Sequence, residues 1–414
     1  MLLRFCLYGF LKNQRYYESF LVLAFLEKGL SFFVIGLLVA FREVAVNIME
    51  IPSGAIADVW GRRGSMVLSF LAYIASFLLF GLAASPPVLF AAMFCFAVGD
   101  AFRTGTHKSM IFTWLRLMGR TEERSKVYGF TRSWSKLGSA LSVILATVFV
   151  LLSDSYVYVF YISIIPCLAS IANLAAYPKE LDGETLPGVD LSRLVGHVRV
   201  TFGRAFRIGA LRRLIFESMG FEGVFHAAKD YLQPVLKAVA LAAAAQVLVA
   251  ENLTDTQRSA LLVGPVYLVL HLLSAVASRN AHRVVELARG KDGATRLLWG
   301  LVVVVFAAMA AAALGEVVPA LIAAFVALHV LQNLWRPVLV SRIDRLSKPE
   351  QGATVLSMES QGRRLATVII APLLGLAVDA AAAQGELARF WPVGAVGGLV
   401  ALGFFTRSGL SSTR

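Results

Sequence analysis

Apolar runs, each close to the length of a helix that crosses a bilayer (about 20 residues), alternate along this chain with short polar segments. Twelve such runs are predicted, at 4–26, 33–57, 65–84, 87–112, 127–151, 156–177, 213–236, 259–278, 296–314, 317–340, 353–377 and 390–406. Backbone groups in hydrocarbon must be paired within their own segment, so the runs are expected to be α-helices. The first carries Lys12, Arg15 and Glu18 at its centre, unlike the apolar core of a cleavable signal peptide.

Composition agrees with a membrane protein. Of 414 residues, 58% are hydrophobic and 16% charged, with mean hydropathy +0.71, and a soluble chain of this size could not cover its core with so few charges. With both termini in the cytoplasm, the inner loops receive Arg62 and Arg63, Arg116 to Lys126, the basic residues of 179–213, those of 279–296, and Arg342, Arg345 and Lys348. The outer side keeps only Lys28, Lys237, Arg258 and Arg389. That bias fixes the expected orientation in an inner or plasma membrane. It also explains much of the net charge of +13, so no nucleic-acid partner is needed, and membrane lipids are expected to meet some of these cations. Cys6, Cys95 and Cys167 fall in apolar runs without C-x-x-C spacing and read as core residues. No cofactor or metal is implied.

Composition changes substantially once, over 178–212. A turn-rich stretch from Pro178 to Gly188 precedes Leu191, Leu194, Val195, Val198 and Phe202 at helical spacing, with Arg193, Arg199, Arg204 and Arg207 largely elsewhere on the wheel. This pattern predicts an amphipathic basic helix at the inner membrane surface. The expected organisation is therefore a six-helix bundle over 1–177, a cytoplasmic linker over 178–212 and a second six-helix bundle over 213–414. Faint repetition supports paired halves: Asp100-Ala-Phe-Arg103 in the fourth run parallels Asn333-Leu-Trp-Arg336 in the tenth.

Runs three, six and twelve contain no Asp, Glu, Lys or Arg, and run nine contains only Arg296 at its inner end. The remaining runs contain many, with cations in excess. A charge facing lipid costs several kcal/mol, so these residues are expected to face the bundle interior or a wet cavity. Positions three or four apart share a helix face. Stripes are thus predicted at Tyr8, Lys12, Arg15, Glu18 and Val22; Glu43, Asn47 and Glu50; Asp100, Arg103, Thr104 and His107; Glu222, His226, Lys229 and Gln233; and His329, Asn333 and Arg336. Arg132 with Lys136, and Glu359 with Arg363, form shorter ones. Each stripe is equally readable as an ion-pair network between helices. The cation excess favours an anionic or zwitterionic solute, since guanidinium groups suit carboxylate and phosphate.

Between the second and third runs lies Gly54-Ala-Ile-Ala-Asp58-Val-Trp-Gly61-Arg62-Arg63. It resembles the G-x-x-x-D-x-x-G-R-R/K signature of the major facilitator superfamily. The strings Glu50-Ile-Pro52-Ser-Gly54, Gly99-Asp-Ala-Phe-Arg103-Thr-Gly105 and Lys229-Asp-Tyr-Leu-Gln-Pro234 are similar to those of uncharacterised bacterial members. The resemblance implies an all-α integral membrane protein with twelve transmembrane helices in two pseudo-symmetric six-helix bundles, the major facilitator fold. It implies a monomeric secondary transporter working by alternating access, in which helices one, four, seven and ten line a central cavity. Substrate contacts are then expected from Lys12, Arg15, Glu18, Arg103, His107, Lys229, Asn333 and Arg336. Glu43, Asp100 and Glu222 are candidates for proton coupling. Gly54, Asp58, Gly61, Arg62 and Arg63 form the gating motif, with Asp58 meeting the cytoplasmic end of helix eleven, where unpaired N–H groups favour an anion. Residues 131–140 lack the glycine–proline motif of drug–proton antiporters, which argues against a multidrug pump. The chain has no G-x-x-x-x-G-K-[ST], H-E-x-x-H or G-x-S-x-G motif, so neither ATP hydrolysis nor another enzyme activity is expected. Alternatives are a lipid, lysolipid or drug exporter of the same fold, or a transport-incompetent receptor or scaffold.

Overall fold

The computed structural model describes residues 1–103, 106–182, 209–244, 252–346 and 352–410; at some helical positions, Gly54 and Asp58 among them, only the backbone is described. The described residues form α-helices joined by short turns and 3₁₀ segments, without a strand among them. They gather into two compact units, one from Met1–Lys28 and Phe41–His197, the other from Gly29–Ala40 and Val198–Arg414. The expected amphipathic linker helix lies outside the described residues. The fold is the twelve-span arrangement expected from the sequence. Among the described residues, nine helical stretches are long and apolar enough to cross a membrane.

Among the described residues, two spans depart from a single continuous helix. The first runs as Leu2–Leu11, leaves helix over residues 12–20, and resumes as Leu21–Glu27. The helical stripe expected at Lys12, Arg15 and Glu18 is therefore corrected: all three lie on turns. Their three-residue spacing imitates a helix face, but Lys12-Asn-Gln-Arg-Tyr-Tyr-Glu-Ser19 is polar or aromatic throughout and can supply its own hydrogen bonds. The Asn13 amide donates to the Gly9 carbonyl at 2.6 Å, and backbone turns Asn13 to Phe10, Gln14 to Leu11 and Glu18 to Arg15 close at 3.0–3.2 Å. The seventh span consists of Gly209–Ala228 and Leu232–Ala244 with a 3₁₀ turn at Lys229–Tyr231. Interrupted helices at corresponding places in two halves are a hallmark of transporter binding regions.

In the first unit, the first and fifth (Arg124–Ser153) spans touch through glycine. A Cβ on Gly9 would lie 2.9 Å from the Ser135 hydroxyl, and one on Gly138 would strike the Phe10 carbonyl. Small residues let membrane helices approach closely without help from water, and this approach sets Lys12 beside the fifth span. The turn after the first span ties down two other helices. Glu27 accepts from Tyr156 N–H (2.7 Å) and the Ser155 hydroxyl (2.6 Å) ahead of the sixth span, Tyr158–Ala175. Lys28 donates to the carbonyls of Gly81 and Ala83 at the end of the third, Arg62–Leu82.

In the second unit, the backbone N–H groups of Phe32 and Phe33 donate to the Asp379 carboxylate at 3.2 and 2.8 Å. They open the second span, Phe32–Trp60, and a carboxylate there satisfies donors that the helix leaves unpaired. The Arg389 guanidinium stands 3.8 Å from Asp379 and covers the Phe32 ring. The core is aromatic: Trp299 stacks on Phe404 at 4.9 Å and meets Trp335 edge-on at 5.1 Å.

Candidate functional site: charged residues in the two units

The break in the first span exposes backbone and side chains to a cavity of about 290 Å³ in the first unit. Lys12, which caps the Leu2–Leu11 helix, enters it from the C-terminal end, where the helix dipole favours a cation. Tyr8, His107, Tyr128, Thr131, Arg132, Ser135, Lys136 and Ser139 complete most of its polar lining. Tyr8 is buried and stacks on His107 with ring centroids 3.7 Å apart. His107 is held from its other side by the Tyr177 hydroxyl at 3.1 Å. Thr131, Ser135 and Ser139 donate their hydroxyls back into their own helix, which leaves the cations as the principal donors to anything inside.

Other charges in this unit already have partners. Arg103 bonds Asp100 at 3.2 Å, and Asp100 accepts from the Tyr73 hydroxyl at 2.5 Å. Arg42 pairs with Glu43 at 2.5 Å. Arg15 lies 3.8 Å from Glu18, with both side chains more than a third exposed, so this contact is weak. Arg15, Arg103 and Lys12 also line a second void of about 30 Å³ beside the buried Gln14, about the share of one water.

The second unit holds a tighter network. Arg336 grips Glu359 through two bonds of 2.6 and 2.9 Å, and the Ser218 hydroxyl donates to the same carboxylate. Glu222 is fully buried; Gln332 donates to it at 3.3 Å, His226 lies at 3.7 Å and Arg363 at 3.9 Å. Arg363 also reaches His226 Nε2 at 2.8 Å, the geometry of a neutral imidazole accepting from a guanidinium. Glu217 binds Arg342 at 2.7 Å and Arg213 at 3.0 Å. Lys229 pairs with Asp230 at 2.8 Å, on the 3₁₀ turn of the seventh span, and Asn333 donates to the His329 carbonyl. Ion pairs of this burial are costly to break one partner at a time.

The gating motif is described in part, since the side chains of Gly54 and Asp58 lie outside the described residues. Gly61 takes φ +85°, a left-handed conformation suited to glycine, and separates the second and third spans. Arg62 donates to the Thr113 hydroxyl at 2.9 Å. Arg63 donates from its backbone to Asp182 at 2.7 Å and from its guanidinium to the Tyr177 carbonyl at 2.8 Å. Both motif arginines therefore tie helix ends within their own unit.

The expected substrate residues are thus placed unequally. Lys12 and His107 line the larger cavity, Lys12, Arg15 and Arg103 the smaller, and Glu18 sits against Arg15. Lys229, Asn333 and Arg336 each bind a neighbour in the second unit. The expected set omitted Arg132, Lys136, Gln332 and Glu359. Arg132, Lys136 and Glu359 are signalled only by short charged stripes and Gln332 by none, because a partner in another span cannot be read from spacing.

Membrane-length helices carrying charged internal cavities define a multi-pass membrane transporter. Residues 15–358 match the sequence model of the Major Facilitator Superfamily, and the chain belongs to that superfamily. It is similar to YxaM of Bacillus subtilis (strain 168), an uncharacterised MFS-type transporter, with 32% identity over 94 residues. That alignment covers 23% of each protein, well short of the relative's full length. A mutant of the nucleoside transporter NupG has the same fold, with TM-score 0.77 and 12% identity over 99% of both chains. A POT family transporter in complex with 5-aminolevulinic acid gives TM-score 0.69 and 16% identity over 99% of this chain and 96% of that one. For a D-xylose–proton symporter the values are 0.64 and 15%, over 97% and 95%.

Proposed function

We propose that the protein is a secondary transporter that moves a small anionic or zwitterionic solute across the plasma membrane by alternating access, with both termini in the cytoplasm. The observation that carries this reading is the cation-lined cavity beside the broken first span. A polar cavity of this size within membrane-length helices suits a solute and has no evident role in holding the helices together. Neighbours of the same fold support the reading: one is solved with 5-aminolevulinic acid, itself an amino-carboxylate, and another is a proton symporter. The test is solute counterflow in proteoliposomes of the purified protein. Exchange of a labelled anion with no ATP present is expected, and exchange of lysolipid alone would favour the lipid-moving alternative. Ligand binding without any exchange would favour a receptor.

Proton coupling is the second part of the proposal. Glu222 is buried with a histidine and an arginine at its side, an arrangement in which a proton gained or lost changes which partner is held. Glu43 and Asp100 remain candidates through their pairs with Arg42 and Arg103. In Glu222→Gln, pH-driven accumulation is expected to vanish while counterflow persists. Full accumulation in that variant would remove Glu222 from the coupling path.

A further inference from the structure

Lys12, Arg132 and Lys136 differ from the ion-paired arginines described above. Among the described residues, none of the three has a carboxylate within ion-pair distance. Two of them meet aromatic rings: Lys12 lies 5.8 Å from the Tyr8 ring centroid and Arg132 lies 5.9 Å from that of Tyr128. All three line one cavity, and no Asp or Glu is among the described residues that line it. Lys12 also shares the smaller void with Arg15 and Arg103. Arg132 and Lys136 are exposed, so water lowers the cost of holding them there. Water does not cancel the field, which concentrates anions in a low-dielectric cleft of one sign.

We infer that this first-unit cavity is the binding site for a small organic solute bearing two or more negative charges, held by Lys12, Arg132 and Lys136. A single negative charge would leave two of the three cations opposed only to each other. A phosphomonoester or a dicarboxylate would balance them, with the Arg132 fork suited to two oxygens at once. The volume argues for an organic body. At about 30 Å³ per water, 290 Å³ holds far more than one tetrahedral oxyanion. The inference also moves recognition away from Arg103 and Arg336, whose charges Asp100 and Glu359 already satisfy. It rests on the transport reading for its purpose, but the site itself is testable by binding alone.

The test is thermal unfolding of the detergent-purified full chain, alone and with single compounds. The probes are glycerol 3-phosphate, glucose 6-phosphate, succinate, inorganic phosphate, acetate, glucose and tetraethylammonium. Wild type is compared with Arg132→Gln, Lys136→Gln and, as a charge control on the same span, Lys126→Gln. Stabilisation by a phosphomonoester or by succinate is expected, and which of them acts separates the two chemistries. The apparent affinity should fall at least about tenfold in Arg132→Gln and Lys136→Gln, fall with added salt, and hold in Lys126→Gln. Without ligand, both cavity variants should unfold at the wild-type temperature or above it, because a repulsion has been removed. A lower unfolding temperature in both would show structural ion pairing and overturn the assignment. So would stabilisation only by acetate, glucose, tetraethylammonium or inorganic phosphate, a dianion effect that survives both substitutions, or no dianion effect. Binding without flux would sink the transport reading and leave this site standing. Flux of a neutral solute untouched by the variants would do the reverse.

Discussion

At the scale of single residues, arginines that look interchangeable in the sequence have opposite physical roles. Arg336 neutralises Glu359, whose side chain has no solvent exposure, whereas Arg132 lines a cavity with no acid among its described lining residues. Arg336→Gln would strand a buried carboxylate, at a cost of about 3–5 kcal/mol. It should lower the unfolding temperature by several degrees, while Arg132→Gln should not; parallel melts of the two variants check the contrast. Equal losses would mean that both side chains are structural. The sequence made the presence of these charges legible, along with the burden they place on a membrane span. It did not make their partners legible. Glu359 lies 23 positions from Arg336 in a different helix, and nothing in local spacing joins them.

Among helices and turns, the apolar runs predicted the spans well because hydrocarbon leaves the backbone little choice. The breaks escaped prediction for a related reason. Lys12, Arg15 and Glu18 keep a helical period through a stretch that is not helical, so periodicity reported a continuous face. What decides the matter is packing against the fifth span through Gly9 and Gly138, along with the Asn13 to Gly9 bond. Gly138→Leu should push these spans apart and abolish ligand-induced stabilisation even though no cation is altered. Preserved stabilisation in that variant would show that the close approach is not needed to shape the cavity. The Asp379 cap gives a separate check on element ends. Asp379→Ala removes the acceptor for two N–H groups at the start of the second span and should cost about 1 kcal/mol, seen as a lower unfolding temperature. Asp379→Asn should recover part of that loss.

The whole molecule belongs to a superfamily in which one architecture serves many solutes, so the fold does not name the cargo. Membership was legible in the Gly54–Arg63 signature and in the scarcity of charge in the third, sixth, ninth and twelfth runs. Within the described residues, Lys12, Arg132 and Lys136 line a cavity of the first unit, while Arg336 and Arg342 of the second bind the buried acids Glu359 and Glu217. The central claim, that the protein carries an anion across the membrane, is tested most directly by counterflow. Proteoliposomes loaded with the most stabilising dianion from the binding screen would be diluted into a trace of the same labelled compound. The account predicts rapid label uptake with no ATP and no imposed ion gradient, reduced at least about tenfold in Arg132→Gln when measured at subsaturating solute. Binding of the dianion in wild type with no uptake above protein-free vesicles would contradict it.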